Sequence, residues 1–175
     1  MKEEDSRRFK RIFALIWGGF IVVFVLPIIG YLTSIQLDSL LGIHMNIPLH
    51  LNIILAIFFL INGFFWGIWA NVELFRIGKG SPIPLKDTQT TFLVAKGPYK
   101  YSRNPMIFGY ILIWVGLGFL FNSFFLLIGF TTIWTLFLVL LVKLWEEKNL
   151  EKRFGESYRN YKSQISFLIP LPEKH

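Results

Sequence analysis

No cysteine occurs anywhere in the 175 residues, which excludes disulfides, thiolate nucleophiles and cysteine-ligated metals together. Histidine is nearly as scarce. His44 and His50 stand in or beside one short connector and His175 is last in the sequence. None has a carboxylate partner at metal-ligand or proton-relay spacing, so no metal site and no histidine base is expected. Charge is missing from three long stretches: 12–35, 47–72 and 106–142. A bilayer core takes about 20 apolar helical residues, so the first two stretches read as single spans and the third, folded at Asn122-Ser123, as two.

The basic excess is equally uneven. All 18 Lys and Arg fall within residues 2–11, 76–103 and 143–174, and the net charge is +7. An even number of crossings separates successive basic segments, so all three lie on one side, which the positive-inside rule makes the cytoplasm. Orientation and anionic lipid head groups account for this charge, and nucleic acid is not the expected partner. The apolar run after the basic start is too long for a signal peptide and lacks a small-residue cleavage pattern, so it reads as an anchored first helix.

The expected fold is an all-α, multispanning helical membrane protein with both termini cytoplasmic. One domain covers 1–175, with spans near 12–35, 48–72, 106–121 and 124–144, a cytoplasmic connector at 73–104 and a cytoplasmic helix at 146–163. A fifth span follows only if the loop before Asn104 dips back into the bilayer. Asn52, Asn62, Thr131, Thr132 and Thr135 are the polar residues within the spans, suited to bonding between helices. No ionisable residue is placed at membrane depth, which argues against a transporter.

Chemistry is therefore sought in the cytoplasmic segments. The connector carries turn signals at Gly78, Gly80-Ser81-Pro82, Pro84 and Gly97-Pro98, and a β-compatible patch at 90–94. It is too long for a structureless loop and reads as a cap on the membrane face. Asn104 stands at an N-cap position, Pro105 suits a first helical turn, and the free N–H groups of that turn favour an anion. Beyond the last span come Glu146 and Glu147. Four-residue spacing from Lys143 to Glu147 reads as an ion-paired surface face, whereas Glu146 points about 100° away with no local partner. An antiparallel hairpin over 106–144 brings these ends together around one pocket.

The order LV-x-x-GPY-x-x-x-RNPM, an apolar hairpin, then EE-x-x-L-x-x-x-FG-x-x-Y-x-x-Y and P-L-P resembles the isoprenylcysteine carboxyl methyltransferase and phospholipid methyltransferase superfamily, over roughly 66–172. The resemblance implies S-adenosylmethionine as methyl donor, bound at the cytosolic face, and a lipophilic acceptor drawn from the bilayer. Carried over by motif, the cofactor contacts are Thr91, Phe92, Leu93, Val94, Tyr99, Asn104, Pro105, Met106 and Ile107, with Glu146 and Glu147 closing the far side. A sulfonium suits an aromatic face such as that of Tyr99, and the methionine carboxylate suits the helix start. Methyl transfer is a direct displacement that depends on alignment and exclusion of water, so the lack of Cys, paired His and metal ligands is no objection.

Two positions depart from the pattern. Arg103-Asn104-Pro105 stands where prenylcysteine enzymes have Arg-His-Pro, and Val142 stands where they carry a substrate-binding arginine. The resemblance thus does not extend to a prenylcysteine carboxylate. Arg103 and Lys143 are the candidates for orienting an anionic acceptor, and membrane lipids are the expected surroundings. The competing class is a non-enzymatic membrane transporter or scaffold.

Overall fold

The computed structural model describes Phe9, Phe13, Trp17, Phe20, Ile21 and residues 25–79 and 90–173. Five helices run through the described residues: α1 Leu26–Leu41, α2 Leu49–Gly78, α3 Pro105–Leu120, α4 Phe125–Phe154 and α5 Glu156–Gln164. Both α2 and α4 are 30 residues long and apolar enough to cross a membrane, and only 17% of either apolar window is buried. Ile57, Ile61, Phe64 and Ile68 on α2 and Ile133, Leu136, Leu140 and Leu144 on α4 all point outward. An apolar exterior of that extent has a favourable surrounding only in lipid. At 1.5 Å per residue, α1 and α3 are each about 24 Å long, short of the roughly 30 Å hydrocarbon layer.

Helices α2 and α3 cross where side chains are smallest. A Cβ on Gly109 would stand 2.7 Å from the Gly63 carbonyl oxygen and 2.8 Å from the Gly67 nitrogen, so only glycine permits this backbone approach. Antiparallel contact continues outward through Gly116 against Leu60 and Phe59 stacked on Phe119 at 5.7 Å. Helix α1 closes the bundle, with Gly30 lying under the Trp114 ring and Leu126.

The turn between α3 and α4 falls at Asn122-Ser123, as expected. Asn122 takes a left-handed conformation with φ 49°, which asparagine tolerates. Asn52 donates to the Asn122 side-chain oxygen at 2.7 Å, so it does bond between helices, whereas Asn62 and Thr131 donate to carbonyls of their own helices.

Several boundaries differ from expectation. Helix α1 continues past 35 to Leu41, carrying Asp38 with it, because Asp38 is satisfied at a distance: it accepts hydrogen bonds from Ser123 Oγ and from the Phe125 N–H at the start of α4. Most of the expected first span before residue 25 lies outside the described residues. Helix α2 runs on to Gly78, closing with a π-helical turn over Leu74–Gly78, so the connector begins later than residue 73. The turn signals at 80–84 and His175 also lie outside the described residues. No separate helix starts at 146. Helix α4 continues from the membrane to Phe154 and breaks at Gly155 (φ 55°), after which α5 begins. The described part of the connector, 90–104, contributes no span.

Candidate active site

The site is built at the end of the bundle where α2 and α4 stop and α3 starts. Gly97 (φ 60°) opens a short 3-10 turn over Gly97–Lys100, pressed so closely on α2 that a Cβ there would meet Glu73 Cγ at 2.7 Å. This turn drives Tyr99 inward, where its ring packs with Ala70, Leu74 and Val94 and against Ile77 and Met106. The Tyr99 hydroxyl is buried and has no hydrogen-bond partner. Burial raises the pKa of that hydroxyl well above the usual phenol range, and the neighbouring Glu146 carboxylate pushes it the same way. Behind it, Tyr161 on α5 donates its hydroxyl to the Tyr99 carbonyl at 2.8 Å. Burial, then the nearby Tyr99 and Tyr158 hydroxyls, raise the Tyr161 pKa, so it stays protonated as a donor.

The expected N-cap at Asn104 is present in position but not in chemistry. Its side chain makes no bond to its own helix and instead donates to the Phe167 carbonyl at 2.8 Å. Around it, Arg103 N–H donates to the Ser166 carbonyl, Ser102 Oγ to the Leu168 carbonyl and Leu171 N–H to the Tyr101 carbonyl, at 2.8 to 2.9 Å. Residues 166–171 are thereby strapped across the start of α3.

Glu147 departs from the role its spacing suggests, while Glu146, as its spacing suggests, has no ion pair among the described residues. Glu147 is buried, not part of an ion-paired surface face: one carboxylate oxygen pairs with Arg103 and the other with Lys162 of α5 at 3.1 Å. Lys143 makes no ion pair with it. Its ammonium sits over the Phe167 ring at 4.9 Å, and the Arg103 guanidinium lies 5.4 Å from the same ring. A π-helical turn over Val142–Glu146 separates Lys143 from Glu147, so regular four-residue spacing does not apply. Glu146 is exposed and has no ion pair among the described residues. Tyr158 stands beside the Arg103–Glu147 pair, and burial, then the Glu147 charge, raise its pKa.

The 91–94 segment is not a strand. With no neighbouring strand among the described residues to pair with, it is tied to the end of α2 by Thr91 N–H to the Gly78 carbonyl at 2.7 Å. Thr91 and Phe92 are exposed, with Lys79 over the Phe92 ring at 5.5 Å, whereas Leu93 packs on Tyr158, Tyr161 and Ile165. Val94, Tyr99 and Met106 thus share one cluster and Arg103 and Glu147 one ion pair. Pro105 is buried at the helix start and Ile107, within the same first turn, is half-buried. A cleft of about 220 Å³ lies nearby between the connector and α5, lined by Leu93, Lys100, Asn160 and Gln164 among others. Of the expected contacts only Leu93 reaches it, and it is smaller than ordinary ligand pockets of roughly 300–1,000 Å³.

Lys162, Tyr158, Tyr161 and Phe167 were not among the expected site residues. The two tyrosines stand in the FG-x-x-Y-x-x-Y run, where three-residue spacing puts them on one helix face. Nothing local marks Lys162 or Phe167.

The sequence model of the phospholipid methyltransferase family matches residues 51–157. That range begins and ends earlier than the expected 66–172. It takes in α2, the Tyr99 turn, α3 and the two glutamates, and stops short of Tyr161, Lys162 and Phe167. No curated protein matches the chain.

Proposed function

The chain belongs to the phospholipid methyltransferase family, and from that premise we propose that it transfers a methyl group from S-adenosylmethionine to a lipophilic acceptor held in the bilayer. When bound, the cofactor supplies an electrophilic methyl on a sulfonium. The observation that carries the reading is the Tyr99 hydroxyl, buried and unbonded beside the one carboxylate of the pair that is still free. A buried hydroxyl left unpaired costs about 1–3 kcal/mol, and a ligand with hydroxyl and ammonium groups relieves it. Glu146 accepts from such groups, since neither of its oxygens is engaged in an ion pair among the described residues.

The N–H groups of Met106 and Ile107 in the first turn of α3 suit the methionine carboxylate. Val94 and Leu93 supply apolar wall, and Thr91 and Phe92 the outer rim. Because its ring is packed into the core, Tyr99 offers its hydroxyl rather than its face. Glu147 and Asn104 act one step back: Glu147 fixes Arg103, and Asn104 fixes the 166–171 strap. Arg103 and Lys143, both close to the Phe167 ring, orient an anionic group on the acceptor. The distribution of Lys and Arg places this end on the cytoplasmic side.

Calorimetric titration of S-adenosylhomocysteine into the detergent-purified protein tests the reading, beside Glu146→Gln and Tyr99→Phe. Saturable binding is expected, weakened about five- to tenfold in each variant, the equivalent of one lost hydrogen bond to a charged or buried group. A folded wild type that binds nothing refutes it.

A further inference from the structure

The segment that follows α5 is chemically unlike α5. From Ile165 to Pro172 (ISFLIPLP) it carries no charge, with Lys162 shortly before it and Glu173 and Lys174 directly after. Ile165 packs under Tyr158 and Tyr161, but Ile169 and Leu171 point outward, 62% and 49% exposed. A single exposed aliphatic residue is ordinary on any protein surface. Two of them, in the segment strapped across the start of α3, stand at a particular height on the bundle.

Helix α4 gives that height. Phe125 opens it beside the Asn122-Ser123 turn, and Lys143 stands about 27 Å further along, near the far edge of a hydrocarbon layer roughly 30 Å thick. The Lys143 ammonium lies over the Phe167 ring, which puts the strap at that edge. Leu144 and Trp145, next to Lys143 and both exposed, carry the outward apolar side of α4 to the same level. Ile169 and Leu171 therefore continue a surface that already has lipid as its favourable surrounding.

The backbone of the strap suits the same place. Pro170 and Pro172 have no N–H to satisfy, and the N–H between them, on Leu171, donates to the Tyr101 carbonyl at 2.9 Å. The carbonyls of Ser166, Phe167 and Leu168 accept from the Arg103 N–H, the Asn104 side chain and the Ser102 hydroxyl. Irregular backbone whose polar groups are met by protein can lie at an apolar boundary at little cost.

We propose that residues 167–172 are an interfacial anchor: Ile169 and Leu171 seat in the boundary between acyl chains and head groups, and the bilayer holds the strap down on the start of α3. The partner is lipid and not a second protein. This inference is independent of the methyltransferase reading. It makes the bilayer, together with the protein's own hydrogen bonds, what keeps this end of the bundle closed.

Because the chain has no cysteine, one introduced thiol can be labelled alone. The full-length protein carrying a nitroxide on Ile169→Cys is reconstituted in liposomes of phosphatidylcholine and phosphatidylglycerol. The label is expected to be relaxed more by oxygen, which concentrates in hydrocarbon, than by a water-soluble nickel chelate, as is a label on Ile133→Cys on the outward side of α4. Ser163→Cys on the exposed side of α5 should show the reverse order. In the same liposomes, Ile169→Ser combined with Leu171→Ser should speed amide hydrogen exchange at Arg103 and Leu171 at least about tenfold, since two aliphatic side chains no longer leave water when the strap closes. Ile133→Ser should leave that exchange unchanged. A water-like response at Ile169, a label shielded from both relaxants as it would be under a partner chain, or unchanged exchange in the double variant overturns the anchor.

Discussion

Replacing Glu147 with glutamine should be among the most damaging single changes at the end of the bundle where α3 starts, through stability before chemistry. The Arg103 and Glu147 side chains are 11% and 7% exposed, so theirs is a buried pair, whereas Lys162 at 39% exposure is largely solvated. Removing one partner of a buried pair costs about 3–5 kcal/mol, because the other charge is stranded. Lys162, screened by solvent, adds less than about 1 kcal/mol. Glutamine keeps the shape and one acceptor, which places Glu147→Gln near the lower limit, about 3 kcal/mol. Arg103 would then retain the Phe167 ring and the Tyr158 hydroxyl as neighbours but no opposite charge among the described residues, its Nε being unbonded already. For a chain of this length each kcal/mol moves the midpoint by about 2–4 °C, so thermal unfolding in detergent should shift down by about 6–12 °C. Lys162→Met should shift it by no more than about 3 °C. Arg103→Met combined with Glu147→Gln should melt above Glu147→Gln alone, since no charge is then left stranded. If Glu147→Gln and Lys162→Met shift the midpoint equally, or the double variant is worse than the single, the buried-pair account is wrong.

The crossing of α2 and α3 makes a sharper contrast. Gly109→Ala forces a Cβ against backbone of the facing helix and should destabilise by about 1–3 kcal/mol, whereas Gly67→Ala meets nothing within 4 Å and should be neutral or gain up to about 1 kcal/mol by the same melts. Asp38→Ala removes the acceptor of the Phe125 N–H and of Ser123 Oγ and should cost about 1–2 kcal/mol, with Asp38→Asn in between. Tyr161→Phe deletes the bond to the Tyr99 carbonyl, and calorimetry should find S-adenosylhomocysteine binding weakened by up to about fivefold with little change in midpoint.

The apolar helices were legible because their signal is local: α2 and α4 show as uncharged runs, and the turn at Asn122-Ser123 as a polar pair near the middle of the longest of them. Glu146 and Tyr99 were singled out by motif, and the structure sets the two side by side. What escaped depends on partners far away in sequence. Lys143 and Glu147 at four-residue spacing would pair on a regular helix, but the π turn over Val142–Glu146 and the approach of Arg103, 44 residues earlier, turn Glu147 inward. Asp38 reads as the end of a span because a carboxylate is costly there, until Ser123 is brought beside it. The 90–94 patch has β-forming residues, yet with no neighbouring strand among the described residues propensity alone yields no sheet.

The strap across Tyr101–Asn104 joins residues 63 to 70 apart in sequence, and the chain between them includes the whole α3–α4 hairpin. Such a closure forms only after the segments it spans are in place, since the loop entropy must be met before the bonds reward it. The spans can therefore be inserted and the bundle joined while the start of α3 still lacks the carbonyls of 166–168. Integration into the bilayer and completion of the end of the bundle around Asn104 are thus separate events in the life of this protein, with the second waiting on the arrival of a few backbone oxygens.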